Sequence, residues 1–414
     1  MNSSKKILWT IFLTIFIDML GLGILIPVFP MLVVPHSVFK VTPDTWTTAE
    51  GFIMAGWLMA VFPLAQFFCT PVLGQLADKY GRRNILAFSI SGTAVSYMLF
   101  ALGIYTKNIP LLFFSRCLDG ASGGNISVAQ AVIGDVSDTK SRAKNFGLVG
   151  VSIGIGFVLG PFIGGKLSDQ NLVSWFDAAT PFLFAALLSC VNVFLILKIL
   201  PETLKEKKTN VVHLMRPLQN IIKIFMNKNI RIIISANFFF NAGFTFFTTF
   251  WGVILAYKFG YSQGGIGDFF AYIGVMIILA QGGVVRRLSG KISESTVLRY
   301  SMILTGVCLF GYFMVSVQYV IWIYYITPLL AISVALTRAF NMSLLSKLST
   351  NATRGEIMGM NSSASALAQA IPAILAGYIA TTHVTSTVLV GAITTIFGGL
   401  FFLYLFKDRV NKIK

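Results

Sequence analysis

The sequence predicts an all-α integral membrane protein: twelve transmembrane helices in two parallel six-helix repeats around a central cavity. Three observations carry this. Of 414 residues, 56% are hydrophobic and 11% charged, with a mean hydropathy of +0.78, against about 25% charged in soluble domains. Twelve stretches approach the about 20 mainly apolar residues that a membrane helix needs. Residues of the second half repeat those of the first at a shift of about 212. The 37 Phe exclude a disordered chain. Cys69, Cys117, Cys190 and Cys308 all fall in apolar stretches and read as small core residues, not a disulfide framework. His36, His213 and His383 have no metal-ligand spacing, so no metal and no cofactor is expected.

The first stretch, 7–34, carries Asp18 in Asp18-Met-Leu-Gly-Leu-Gly-Ile-Leu-Ile-Pro-Val-Phe-Pro30. A carboxylate at that depth costs at least about 2.5 kcal/mol if it meets lipid. It must face a cavity, pair with a cation or be protonated; the bland alternative is a shallow, water-facing acid. Pro27 and Pro30 are expected to break or end the helix. Lys5 and Lys6 before Ile7 also fit the start of a signal peptide, but apolar character resumes after Asp18 and no small-residue cleavage site follows.

Span two, 50–76, runs into Gly74-Gln-Leu-Ala-Asp78-Lys-Tyr-Gly81-Arg82-Arg83-Asn-Ile-Leu86. Gly74 is expected to let helices approach, Asp78 to pair with Arg82 or cap a helix, and Gly81 to make a tight turn. Span three, 85–105, contains Gly92-Thr-Ala-Val-Ser96-Tyr97. Span four, 109–136, holds Arg116 and Asp119, whose i, i+3 spacing permits an ion pair, followed by Gly120, Gly123 and Gly124. The pair is either a proton switch or a satisfied internal salt bridge. Asp135 and Asp138 close the span as surface charges and helix-end partners beside Arg142 and Lys144. Span five, 145–168, reads Gly154-Ile-Gly156-Phe-Val-Leu-Gly160-Pro161-Phe-Ile-Gly164-Gly165. Glycines four apart give one smooth face, and Pro161 gives a bend; no chemistry is available there.

Span six, 177–200, ends at Pro201-Glu-Thr. A polar linker follows over 201–230, with Lys205-Glu206-Lys207-Lys208 and a surface helix near Met215–Met226. It divides an N-terminal bundle, 1–200, from a C-terminal one, 231–414. Span seven, 231–257, puts Asn237 and Asn241 on one face beside a run of aromatics, Phe238–Phe240, Phe246, Phe247, Phe250 and Trp251. These form an apolar binding wall or face lipid. Span eight, 265–284, meets Gly283-Val-Val-Arg-Arg-Leu-Ser-Gly. Span nine, 297–317, has no Asp or Glu. Span ten, 319–346, places Arg338 and Asn341 on one face, and span eleven, 357–381, holds Asn361 and Gln369. Span twelve is 384–406. Polar groups in membrane helices either join helices or line a cavity.

With the N-terminus inside, 26 of the 32 Lys and Arg fall in cytoplasmic segments and four (Lys40, Lys107, Lys166, Lys258) outside. That places both termini in the cytoplasm and accounts for the +17 charge without nucleic acid. Arg142, Gly147 and Gly165 of span five map onto Arg354, Gly359 and Gly377 of span eleven. Two copies in one orientation are a design that transporters use, with the substrate site at mid-membrane.

The G-x-L-A-D-x-x-G-R-R-x-x-L spacing of Gly74–Leu86 resembles the signature loop of the major facilitator superfamily. The resemblance extends over nearly the whole chain and is strongest to the twelve-span drug/proton antiporters, most of all the tetracycline/proton antiporters. It implies that Asp78 and Arg82, with Gly74, Gly81 and Arg83, belong to a cytoplasmic conformational latch. It also implies proton coupling at Arg116, and gives Gly156, Gly160, Pro161, Gly164 and Gly165 as the mark of antiporters. Asp119 replaces the residue usual at its position. Tetracycline exporters carry acids where Ser96 stands and near Thr305, so a different substrate is expected, with Asp18 and Asp119 as the remaining intramembrane acids.

The expectation is therefore a monomeric, proton-coupled exporter of a small amphiphilic compound in a bacterial cytoplasmic membrane. Its partners are protons, a small-molecule substrate and the lipid bilayer. Proton-coupled uptake of an anionic metabolite, drawn by Arg116 and Arg338, or a siderophore-type transporter is the alternative; a non-transporting receptor ranks lower. No P-loop, nucleophile or metal constellation indicates an enzyme or an ATP-driven pump.

Overall fold

The computed structural model describes residues 3–34, 37–137, 142–204, 213, 215–226, 228–348 and 354–406, and every regular element among them is helical. Asp138, His36, Lys140, Lys205–Lys208 and the cations after Phe406 lie outside the described residues. The helices are α1 (Ser3–Val33), α2 (Thr48–Tyr80), α3 (Arg82–Tyr105), α4 (Ile109–Ser122), α5 (Asn125–Val136), α6 (Arg142–Leu167), α7 (Thr180–Ile199) and α8 (Arg216–Met226). There follow α9 (Lys228–Tyr257), α10 (Gln263–Ala280), a π-helical turn (Gln281–Val285), α11 (Arg286–Leu288), α12 (Glu294–Met314), α13 (Trp322–Lys347), α14 (Arg354–Ala380) and α15 (Ser386–Phe406). Eleven helical stretches among the described residues are long and apolar enough to cross a membrane.

The twelfth expected span departs from its prediction. Residues 109–136 form no continuous helix but α4 and α5, broken at Gly123-Gly124. The cause is close packing against α2. A Cβ on Gly120 would collide with the carbonyl of Phe62, and one on Gly124 would lie 2.7 Å from Leu73 Cδ1. Carbonyls at the break find side-chain donors: Ser89 Oγ donates to Ser122 O and Gln66 Nε2 to Gly123 O at 3.1 Å, while Gly124 O accepts from the N–H groups of Ser127 and Val128 at the start of α5. Non-helical backbone at membrane depth is tolerated under such conditions.

Pro27 and Pro30 do not end α1 where expected; the helix continues to Val33, and Val34 N–H reaches Pro30 O at 2.9 Å. A proline lacks the N–H that would bond a carbonyl of the preceding turn, a loss that membrane helices accommodate. Of the four cysteines only Cys308 is buried; Cys117 and Cys190 are exposed, so the expectation of four core residues fails.

The chain forms two compact units: Met1–Thr45, Val61–Arg216 and Tyr261–Ala271 in one, Trp46–Ala60, Pro217–Gly260 and Tyr272–Lys414 in the other. Thus α2 and α10, spans two and eight, each contribute to both. Inside the first unit α1 packs on α6 and α7, and α3 on α7 and α4. Inside the second, α9 packs on α14 and α15, and α12 on α15 and α13. The pairing is the same in both once spans seven to twelve are aligned with one to six. Glycine crossings follow the same repeat. In the first unit a Cβ on Gly165 would lie 3.0 Å from Gly267 Cα, and in the second one on Gly377 would lie 3.1 Å from Gly56 Cα.

Candidate functional site

The break in span four gathers the buried polar groups of the first unit. Arg116 and Asp119 sit on the last turns of α4, 5% and 3% exposed, with Arg116 Nη1 donating to Asp119 Oδ2 at 2.7 Å. The guanidinium also lies over the Phe62 ring, 4.7 Å from its centre, and its Nε–H has no partner. Ser96 of α3 is buried and donates to Thr93 O at 2.8 Å. Tyr97, buried beside it, brings its hydroxyl against α1 at Gly21, where a Cβ would collide with it. Asp18 of α1 accepts from Asn125 Nδ2 at 2.5 Å. Three helices and the half-helix α5 thus converge on two carboxylates, one guanidinium, one phenol and one amide. Asn125 was not singled out in the sequence: a lone Asn after two glycines reads as turn chemistry.

A pair buried this deeply is held by geometry. Removing one partner leaves an uncompensated charge, at a cost of about 3–5 kcal/mol. Protonating Asp119 has the same local effect, because it frees Arg116 while leaving the chain unchanged. The site can therefore act as a switch between paired and unpaired guanidinium.

The glycine motif of α6 acts on the same helix as Asp18. Cβ atoms on Gly156, Gly160 and Gly164 would lie 2.8, 2.6 and 2.7 Å from the carbonyls of Phe16, Leu20 and Ile24 of α1. The expected smooth face is therefore a groove for α1 on both sides of Asp18. Gly165 points elsewhere, to Gly267 of α10, which also meets Pro161 O. Lys166 next to it pairs with Asp268 at 3.0 Å. Gly154 has open space around it.

The loop between α2 and α3 is a charge cluster within the first unit. Arg82 pairs with Asp78 at 2.8 Å and with Asp135 at 3.3 Å. Gly81 has φ 108°, a left-handed conformation. Glu202 accepts from the N–H groups of Arg82 and Arg83 at 2.9 and 3.3 Å, capping α3, and Arg83 donates to Leu197 O. Asp135, expected as surface charge and helix-end partner, belongs to the cluster, and Thr203 Oγ1 donates to it at 3.1 Å. Gly74 does not make the expected close approach: a Cβ there meets nothing within 4 Å.

In the second unit Asn237 Nδ2 donates to Asn361 Oδ1 at 2.9 Å, and Asn241 Nδ2 to Asn237 O at 2.9 Å. The first of these bonds joins α9 to α14; the second lies within α9. Gln369 is exposed and bonds Ser365 O at 3.3 Å. Asn341 is buried with its Oδ1 unpartnered. Arg338 is exposed, lies 5.4 Å from the Phe244 ring centre, and pairs with no carboxylate among the described residues. The aromatic run of α9 is divided between packed and partly open side chains. Phe240, Phe246, Phe247, Phe250 and Trp251 are buried, with Trp251 stacked on Tyr312 at 4.7 Å; the intermediate Phe238 and Phe239 remain partly open. Thr305, near the position of an acid in tetracycline exporters, sits in a neutral chain: it donates to Ser333 Oγ at 2.9 Å, and Thr337 donates to Ser301 Oγ at 2.8 Å.

Residues 11–371 match the Major Facilitator Superfamily. The chain is 30% identical over 301 residues to a tetracycline resistance protein, class H, of Pasteurella multocida, covering 72% of this chain and 70% of that protein. It is 27% identical over 385 residues to multidrug resistance protein 1 of Bacillus subtilis, covering 91% and 90%. Its fold is similar to the crystal structure of the human organic anion transporter MFSD10 (TM-score 0.73, 20% identity, covering 98% and 99%). It is likewise similar to that of a D-xylose–proton symporter (0.73, 14%, 96% of each chain). With a match over most of its length and relatives at this level, the chain is a member of the major facilitator superfamily.

Proposed function

We propose that the protein is a secondary active transporter, not an enzyme, that exports a small amphiphilic compound in exchange for protons by alternating access. The observation that carries this is the buried Arg116–Asp119 pair beside Asp18 at a discontinuous helix. The names of the relatives, tetracycline and multidrug resistance proteins, support drug export. Neutral Ser96 and Thr305, each hydrogen-bonded into its surroundings, favour a lipophilic drug or metabolite over tetracycline.

The ionised state holds Arg116 on Asp119. A proton entering from the outside neutralises Asp18 or Asp119; on Asp119 it loosens the pair with Arg116, on Asp18 it changes the contact with Asn125, and the inward–outward equilibrium shifts. Proton and substrate drive exchange only if each binds the two states with different affinity. The potential supplies about 2.3 kcal/mol per charge per 100 mV, and a pH unit about 1.4 kcal/mol. The Asn237–Asn361–Asn241 group, with Asn341, Gln369 and Arg338, would offer the substrate its polar contacts. The Asp78–Arg82–Asp135 cluster, with Gly81 and Arg83, would latch one conformation. We place the protein in a bacterial cytoplasmic membrane with both termini inside, acting as a monomer.

Arg338, exposed and without a carboxylate partner among the described residues, favours a second reading, proton-coupled uptake of an anionic metabolite. Expression in cells loaded with a fluorescent lipophilic drug separates the two. Export predicts extrusion that a protonophore stops; uptake predicts no extrusion and accumulation of a labelled organic acid.

A further inference from the structure

Asn125 is the first residue of α5 and is 1% exposed. Its Nδ2 donates to Asp18 at 2.5 Å, while its Oδ1 is buried with no hydrogen-bond partner. A buried acceptor left empty calls for an explanation. The chemistry of its neighbour supplies one. An ionised carboxylate only accepts, so it uses Nδ2–H; a protonated carboxyl also carries one O–H donor. Side by side, a carboxylic acid and a primary amide can exchange two hydrogen bonds, N–H to carbonyl and O–H to amide oxygen.

We propose that Asn125 is the positioning residue for proton binding at Asp18, its free Oδ1 accepting a hydrogen bond from the O–H that Asp18 gains on protonation. The ionised pair has one bond; the protonated pair has two. Because Asn125 opens α5 directly after the Gly123-Gly124 break, the change is delivered to the one junction where span four is not a continuous helix. The charged or titratable groups facing Asp18 are Asp119 of α4, itself paired with Arg116, and Tyr97 of α3. Against α1, α6 brings Gly156, Gly160 and Gly164, and α7 brings neutral Asn192, bonded to Thr14. This assignment rests on the proton-coupled reading of the function.

The test is infrared difference spectroscopy of the reconstituted full chain during pH titration, with side-chain carbonyls of Asn carrying 13C. A protonated-carboxyl band lost in Asp18→Asn identifies Asp18. The proposal predicts that an amide band titrates with the same midpoint and disappears in Asp18→Asn. It also predicts that Asn125→Leu shifts the carboxyl band and moves the midpoint by about one pH unit, a tenfold change in proton affinity. Asn125→Ala should act alike. If both variants fail to fold, the amide signal of the native chain still decides. An Asp18 band that titrates with no amide response, or is unmoved in a folded Asn125→Leu, overturns the proposal. Drug-evoked proton flux, measured on the same preparation, judges the other reading: a coupled Asp18–Asn125 titration without flux refutes antiport and leaves the pair standing.

Discussion

At the scale of residues, the chain places its acids where a second element needs them. Glu202 caps two backbone N–H groups of α3 from 120 and 119 residues away. Losing a cap of this kind costs about 1 kcal/mol. Glu202→Ala should lower the thermal midpoint by a few degrees, and Glu202→Gln, which keeps an acceptor, by less; equal loss in both would show that charge, not capping, matters. The spacing of Gly74–Leu86 made Asp78, Gly81, Arg82 and Arg83 legible in the sequence, because an i, i+4 pair and a glycine turn are local. Asp135 and Glu202 were legible only as acids. Their partners lie 53 and 120 residues off, and no periodicity connects them. Asn125 was hidden for the same reason: its meaning depends on an Asp of another helix.

At the scale of elements, glycines divide into those that another backbone requires and those it does not. Gly160→Ala would force a methyl to 2.6 Å from Leu20 O, whereas Gly154→Ala would meet nothing. Overpacking of this kind costs about 1–3 kcal/mol. The expected outcome in thermal unfolding is a clear loss of stability for Gly160→Ala and none for Gly154→Ala; equal effects would contradict the α1–α6 groove. The sequence displayed the four-residue spacing but not which helix fills it. It also displayed Gly120, Gly123 and Gly124 without the break, since glycine is common in membrane helices and only the approach of α2 turns these into an interruption. The helix α8 shows a further division. Asn220 and Ile224 are buried, with Asn220 Nδ2 3.4 Å from Ser363 Oγ, while Leu218, Ile222 and Phe225 form an exposed stripe. A stripe of this kind beside Lys223 suits the surface of an anionic leaflet. A fluorophore on Phe225→Cys should be quenched by lipid-borne quenchers, and one on Gln219→Cys less so; the reverse order would detach α8 from the bilayer.

At the scale of the molecule, twelve apolar stretches, the charge asymmetry and the 212-residue shift carried the architecture. The helix pairing in the two units repeats as that shift requires. What the sequence left open, the substrate and the route of the proton, depends on side chains brought together from distant spans. The central claim is that protons exchange for substrate through Asp18 and Asp119. Its most direct measurement is made in proteoliposomes holding a trapped pH dye, under an imposed proton gradient, while lipophilic drugs are added. The account predicts drug-evoked proton flux in the native chain. It predicts loss of that flux by at least about tenfold in Asp119→Asn or Asp18→Asn, with drug counterflow retained. Counterflow without any proton movement in the native chain, or undiminished flux in both variants, would contradict it.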